Sequence, residues 1–152
     1  MPDTLSRAPE DASFLTFTLA GQLCAVPVPC VRDVLAPQRV TPIPLASPEI
    51  AGSLNLRGRI VTAVELRRRL GLPAAREPRM AVVTEQSGEL YALLVDTVHE
   101  VLSLSPAEIE RNPPTLPPPW STFSAGVCRR ADALLVLLDV AHLLRLGQEV
   151  AA

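Results

Sequence analysis

Residues 54–64 read Leu-Asn-Leu-Arg-Gly-Arg-Ile-Val-Thr-Ala-Val and carry a strand pattern on both sides of the Arg57-Gly58 pair. Two strand-like runs joined by a two-residue turn that contains glycine predict a β-hairpin. Residues 65–70 come directly after the hairpin and are followed by Gly71, a residue that commonly ends a helix. They are predicted to form a short helix. This stretch therefore predicts a strand, a tight turn, a second strand and a short helix.

The same hairpin pattern occurs three more times along the chain. Repeated strand-length runs at close spacing predict a barrel or a sandwich and argue against a helical bundle. The 16 prolines favour the same conclusion, since proline interrupts helices and central strands. A second short helix is predicted from Asp139 to Leu146, ended by Gly147. The three further hairpins join 14–19 to 22–26, 80–84 to 89–95, and 126–128 to 133–137.

The two halves of the chain also resemble each other. The aligned stretches are 23–28 with 90–95 and 31–35 with 98–102, both 67 positions apart, and 60–66 with 134–140, 74 positions apart. Acidic residues match in the same context, Asp33 with Glu100 and Glu65 with Asp139. Chance similarity of apolar strands is the alternative, and the matched acids weigh against it. The pattern predicts a duplicated unit of 65–75 residues, with a groove at the seam between the copies.

Composition excludes several classes of protein. Of the 152 residues, 48 % are hydrophobic, which is enough to bury a core. The net charge is −2 and all 14 basic residues are Arg, so a polyanion partner is not expected. No apolar run approaches the roughly 20 residues that span a bilayer, and no signal-peptide pattern opens the chain. We expect a cytoplasmic protein with loose tails at 1–12 and 147–152.

The residues that usually carry chemistry are scarce and scattered. His99 and His142 are the two candidate bases, and neither stands in a motif that pairs it with a nucleophile. The three cysteines form no CxxC pair. Arg67, Arg68 and Arg69 would point about 100° apart on a short helix, which predicts a solvated face. We therefore expect no enzymatic activity, no cofactor and no metal site, and free thiols at Cys24, Cys30 and Cys128.

A compact double β unit without catalytic equipment is suited to binding another protein. Arg57 is the residue of interest, because a turn tip projects its side chain outward and arginine is favoured at interface hot spots. The alternative is an ordinary exposed turn residue.

The motifs resemble those of a known family. Residues 54–61 followed by 65–67 resemble the signature N-L-R-G-x-I-V-P-x-x-D-L-R of the CheW family, the chemotaxis coupling proteins. The resemblance runs in order over residues 13–146. The other similar stretches are 14–17, 31–34, 95–104 and 134–144.

The resemblance implies a mainly β fold of two intertwined, five-stranded SH3-like barrels with short helices, roughly 13–75 and 76–146. It also implies a non-catalytic adaptor that couples the cytoplasmic tip of a chemoreceptor to the regulatory domain of the histidine kinase CheA. The receptor's helical hairpin would dock in the groove between the barrels. Such a protein would work at chemoreceptor arrays.

By motif matching, the resemblance implies two sets of contact residues. Arg57 has a second implied role, in which it braces the groove by hydrogen bonds to loop carbonyls. The implied receptor-binding residues are Val31, Asp33, Asn55, Arg57, Ile60, Met80 and Ala92. The implied kinase-binding residues are Val98 and Val101.

Some positions depart from the family pattern. Thr62 replaces the usual proline and Glu65 the usual aspartate, and residues 112–119 are rich in proline. Pro27 and Pro29 interrupt a strand-like run and are expected to disturb pairing at that edge. These departures leave a second hypothesis open, a divergent adaptor that binds the receptor but not the kinase. An enzyme with an unrecognised site is the third.

Overall fold

A computed structural model describes residues 11–73 and 79–145. Within them lie ten strands and three one-turn α-helices. The strands are β1 (Ala12–Leu19), β2 (Gln22–Pro27), β3 (Val31–Leu35), β4 (Ile50–Leu56), β5 (Arg59–Glu65), β6 (Met80–Gln86), β7 (Glu89–Val95), β8 (Thr97–Leu104), β9 (Ser124–Arg129) and β10 (Leu134–Leu138). The helices are α1 (Leu66–Arg69), α2 (Trp120–Phe123) and α3 (Val140–Leu143), and two 3-10 turns cover Val28–Cys30 and Pro106–Glu108.

All four predicted hairpins are confirmed as antiparallel pairs, β1–β2, β4–β5, β6–β7 and β9–β10. Their turns explain why the sequence pattern was reliable. At the β4–β5 turn, Arg57 and Gly58 have φ angles of 52° and 86°. Two successive left-handed residues form the turn that matches the twist of the flanking strands, and glycine adopts that conformation without strain.

The strands form two five-stranded sheets that exchange hairpins. Sheet 1 has the order β8-β1-β2-β10-β9, and sheet 2 has the order β3-β6-β7-β5-β4. When β1 to β5 are matched with β6 to β10, as the sequence repeat predicts, both sheets have the same order. Each sheet takes one hairpin from one half of the chain and three strands from the other half. The expected boundary near residue 75 lies outside the described residues.

The chain passes between the sheets at two short segments. The 3-10 turn Val28–Cys30 carries it from β2 to β3, and Asp96 carries it from β7 to β8. Pro27 ends β2 while still paired opposite Phe14, and Pro29 lies within the turn. The prolines that were expected to disturb an edge therefore mark the crossing point, where a strand has to stop.

The hydrophobic core fixes the two sheets against each other. Its largest cluster contains side chains from both sheets, among them Phe17 of β1 and Val64 of β5, which are fully buried. Each fully buried large apolar side chain contributes roughly 1.5–3 kcal/mol. A smaller cluster lies within each sheet's own unit. The groove between the sheets is therefore flanked by two firmly packed bodies.

Two matched acids begin the short helices, as the repeat suggests. The Glu65 carboxylate accepts the Arg67 N–H at 3.4 Å, and the Asp139 carboxylate accepts the His142 N–H at 3.1 Å. Both helices are shorter than predicted, and Leu146 and Gly147 lie outside the described residues. Over the residues described, no helix is both long enough and apolar enough to cross a lipid bilayer.

Candidate functional site

A groove between the two sheets is the first candidate site. It has a volume of about 240 Å³ and opens between β3 of sheet 2 and β8 of sheet 1. Val34 and Val101, which occupy equivalent positions in the two halves, are 38 % and 54 % exposed there. We call it the intersheet groove, and its lining residues are Leu15, Val28, Val31, Arg32, Asp33, Val34 and Val101.

The strand positions explain why this groove is apolar. β3 and β8 are each the outermost strand of their sheet. Each enters its sheet directly after a crossing segment, so the two strands meet where the sheets meet. Side chains alternate along β3, with Val31 and Asp33 half-buried and Val34 exposed. The valines of these two edge strands therefore lie where the two sheets meet and line the groove, so the groove is apolar.

An ion pair forms the polar rim of the groove. Arg57 Nη1 lies 2.9 Å from Asp33 Oδ2, which joins the β4–β5 turn to β3. The Val34 N–H and the Arg57 guanidinium both donate to Asp33 and hold the pKa of its carboxyl below the ordinary value. Arg57 thus links the β4–β5 turn to β3 through the Asp33 carboxylate.

Asn55 positions the turn. Its Oδ1 accepts the Gly58 N–H at 2.9 Å, which holds Arg57 at the tip. A second depression surrounds the tip and shares Arg32 and Asp33 with the intersheet groove. We call it the turn recess, and its lining residues are Arg32, Asp33, Leu56, Arg57, Arg59, Val83, Glu85 and Leu90.

The other predicted receptor residues are more dispersed. Ile60 is 72 % exposed and lines a separate depression with Asn55. Met80 is half-buried against the core, and its Sδ accepts the Val98 N–H at 3.3 Å. Ala92 is 0 % exposed inside the core of sheet 2. The expectation that Ala92 contacts a receptor is therefore corrected, because no partner can reach a fully buried methyl group.

The predicted kinase residue Val101 lies in the intersheet groove together with Val31 and Asp33. Residues expected to serve two different partners therefore meet on one surface. Val34 was not among the predicted contacts, although it lines the same groove. The 67-residue offset aligns Val34 with Val101, so the repeat already contained the signal that would have found it.

A second polar cluster joins the two sheets at the crossing between β7 and β8. Asp96 accepts hydrogen bonds from Arg67 Nε at 3.1 Å and Nη2 at 2.7 Å, and from the Ala20 N–H at 2.8 Å. Burial opposes ionisation of Asp96, but these hydrogen bonds outweigh it and lower the pKa of the carboxyl. One carboxylate thus ties a crossing segment to the β1–β2 turn and to α1.

Arg69 makes a further link across the seam. Its Nε donates to the Leu143 carbonyl at 2.9 Å and its Nη2 to the His142 carbonyl at 3.2 Å. Its guanidinium carbon lies 4.8 Å from the centre of the Phe123 ring. The predicted solvated face is therefore correct only for Arg68, which is exposed. Arg67 and Arg69 are structural links.

The candidate catalytic residues take ordinary roles. His99 Nε2 lies 2.6 Å from Thr18 Oγ1 on an exposed surface, and the His142 ring lies 4.7 Å from the Phe123 ring. Burial, and then the charge of Asp96, raise the pKa of the Cys24 thiol well above its ordinary value, which keeps it protonated. Over residues 11–73 and 79–145, no three His, Cys, Asp or Glu side chains gather as metal ligands.

Comparison with known proteins identifies the family. The sequence model described as CheW-like domain matches residues 13–148. The chain belongs to the CheW-like domain family. The chemotaxis protein CheW of Rhizobium meliloti is 28 % identical over 129 residues, which are 83 % of this chain and 83 % of the relative. CheW of Thermotoga maritima is 25 % identical over 138 residues, 90 % of each chain.

A solved structure agrees with the fold. The crystal structure of the scaffolding protein TtCheW from Thermoanaerobacter tengcongensis superposes with a TM-score of 0.79 at 26 % identity. The match covers 90 % of this chain and 94 % of that one. The family resemblance and the predicted mainly β fold with two five-stranded sheets are thereby confirmed.

Proposed function

We propose that this chain is a non-catalytic chemosensory adaptor that couples the cytoplasmic tip of a chemoreceptor to a CheA-type histidine kinase. The observation that carries the proposal is the intersheet groove, with its valine floor and its Asp33–Arg57 rim. Such an adaptor works in the cytoplasm at receptor arrays. Membership of the CheW-like family and the names of its relatives support the assignment to chemotaxis.

The chemistry of the groove suits a helical partner. A helix presents apolar side chains at intervals of three and four residues, and such a ridge docks in an apolar groove. Val31, Val34 and Val101 offer that seat without rearrangement of the sheets. The paired charges at the rim orient the partner and select against a misaligned one. A groove of this size gives a weak single contact, which an array strengthens through multivalency.

The receptor contacts that we propose centre on this groove. Val31, Val34 and Asp33 face the tip directly, and Arg57 closes the rim. Asn55 acts indirectly by holding the turn at its 2.9 Å hydrogen bond. The two outlying contacts are Ile60, which is exposed beside the turn, and Met80, which is half-buried and accepts the Val98 N–H.

The proposed kinase surface is β8, with Val98 and Val101. Among the strands that the structure describes, β8 is an edge strand paired with β1, so its other side offers backbone groups to a strand of the kinase regulatory domain. The position of Val101 inside the groove favours a second candidate function, in which the receptor occupies Val101 and the kinase does not bind. Titration of both partners separates the two functions.

Arg57→Glu is expected to weaken binding of a soluble receptor tip about tenfold. The substitution turns the Asp33–Arg57 pair into two facing acids and removes a donor from the rim, and arginine is enriched among the interface residues whose loss costs more than about 1 kcal/mol. Calorimetric titration of the tip measures the effect. Because Arg57 is exposed, thermal unfolding should change little.

Arg129→Glu is the matched control. It breaks a comparable exposed pair, Arg129–Glu110 at 3.0 Å, on sheet 1 away from the groove. We expect tip binding to remain at the wild-type level in this variant. An equal loss of binding in both variants, or no loss in Arg57→Glu, would contradict the proposal that the β4–β5 turn contacts the receptor.

A further inference from the structure

Sheet 1 carries a counterpart of the turn recess. The two are related by the sequence offsets, so that Glu100 stands at the position of Asp33 and Ala131 at the position of Arg57. We call it the second recess. Its lining residues are Thr16, Leu23, His99, Glu100, Leu102, Arg130, Ala131, Asp132 and Ala133.

Strand pairing verifies the correspondence. Asn55 pairs with Ile60 before the β4–β5 turn, and Arg129 pairs with Leu134 at the equivalent place in β9–β10. The turn residue that follows is Arg57 in one hairpin and Ala131 in the other. In sheet 2, Arg57 pairs with the Asp33 carboxylate. In sheet 1, the equivalent Ala131 has no charged group that could pair with Glu100.

The second recess is larger than the turn recess, as expected if the arginine side chain is missing there. The second recess measures about 470 Å³, whereas the turn recess measures about 210 Å³. Its apolar wall is formed by Leu23 and Leu102. A long side chain therefore has both a volume to enter and a surface for its methylene groups.

The acids of the second recess are not neutralised from within. No ion pair involves Glu100 or Asp132 among the residues that the structure describes. Arg130 also lines the recess, where its Nη1 lies 4.0 Å from Cys128 Sγ, and among the described residues it forms no ion pair with either acid.

We propose that the second recess binds an arginine side chain of a partner polypeptide, whose guanidinium pairs with Glu100 as Arg57 pairs with Asp33 in sheet 2. Arginine fits better than lysine, because its planar fork pairs with a carboxylate in a fixed geometry and is weakly hydrated. Its methylene stem packs on Leu23 and Leu102. This surface lies outside the intersheet groove. It shares strand β8 with the proposed kinase surface but includes neither Val98 nor Val101, and its test uses neither the receptor nor the kinase.

The test uses the full chain, labelled with ¹⁵N, and the peptide acetyl-Asn-Leu-Arg-Gly-amide, which repeats the residues of turn 55–58. Saturable shifts are expected for the amides of residues 99–102 and 130–133. Peptides with lysine or citrulline in place of arginine should bind several-fold more weakly. Acetyl-arginine-amide alone should also bind more weakly, because it lacks the flanking peptide.

Two variants locate the contact. Glu100→Gln keeps the shape of the side chain but removes its charge. It should weaken binding of the arginine peptide about two- to fivefold. Ala131→Arg supplies the missing side chain within the chain and should abolish the shifts. Glu89→Gln, an exposed acid on β7, is the control and should bind like the wild type.

Three results would overturn the proposal. They are equal binding of the lysine and arginine peptides, unchanged binding in both Glu100→Gln and Ala131→Arg, and binding of acetyl-arginine-amide as tight as that of the peptide. The last would assign the recess to a free small molecule and not to a polypeptide.

Discussion

Replacing Gly52 with alanine is expected to lower the free energy of unfolding by at least about 3 kcal/mol. A Cβ atom at this position would lie 2.1 Å from the Thr41 carbonyl oxygen, a backbone atom that cannot move alone. Thr41 and Ser53 exchange backbone hydrogen bonds at 2.8 Å in both directions, so the clash also opens this bridge. Gly52 further has a φ of +148°, which alanine adopts only with strain.

The chain supplies a graded set of controls. Gly126 is the equivalent residue of sheet 1, but there an added Cβ atom would lie 3.1 Å from its nearest neighbours, so Gly126→Ala should cost less. At Gly58 an added Cβ atom would meet no atom within 4 Å, and the alanine variant should cost only the left-handed strain of about 1–2 kcal/mol. Denaturant unfolding ranks the three. Equal losses at Gly52 and Gly58 would contradict the close approach of Thr41.

Asp96→Asn is expected to destabilise the protein by about 2 kcal/mol at pH 7. The carboxylate holds Arg67 and the Ala20 N–H together across the seam of the sheets. Removing its charge leaves the guanidinium of Arg67, which is 18 % exposed, without its ionic partner. Denaturant unfolding at pH 7 measures the loss.

The effect should depend on pH with a defined sign. The folded-state pKa of Asp96 lies below its ordinary value, so its contribution to stability is present at neutral pH and is lost as pH falls through the folded pKa. The difference between wild type and Asp96→Asn should therefore narrow in acid below about pH 4. Asp132→Asn, at an acid without an ion pair among the described residues, is the control and should cost little stability at pH 7. A difference that is constant from pH 7 to pH 3 would contradict the account.

Local structure was predictable from sequence because its signals are local. The Arg57-Gly58 turn marked the β4–β5 hairpin, and the match of Glu65 with Asp139 marked the starts of two helices. Helix α2 was missed because a single turn within 112–123 shows no helical periodicity. The prolines there end extended segments and gave no sign that Phe123 would be buried.

The exchange of hairpins between the two sheets could not be predicted from local sequence patterns. An offset of 67 shows that two hairpins are alike, but either could pair with β3 or with β8. The same limit explains the site residues. Ala92 and Val101 both lie in strands with apolar neighbours, and only the packing of the sheets buries one and exposes the other. The pairing of Arg67 with Asp96 was likewise not predictable, because the two residues are 29 positions apart and are brought together only by the packing of the sheets.

The most direct test of the adaptor proposal is a calorimetric titration of a soluble receptor tip into wild type, Val34→Asp and Val101→Asp. A charge on the floor of the intersheet groove should weaken binding at least about tenfold in each variant, or about 1.4 kcal/mol. Leu45→Asp makes the same chemical change at a fully exposed residue outside the groove and should bind like the wild type. Wild-type affinity in folded Val34→Asp and Val101→Asp would contradict docking in the groove.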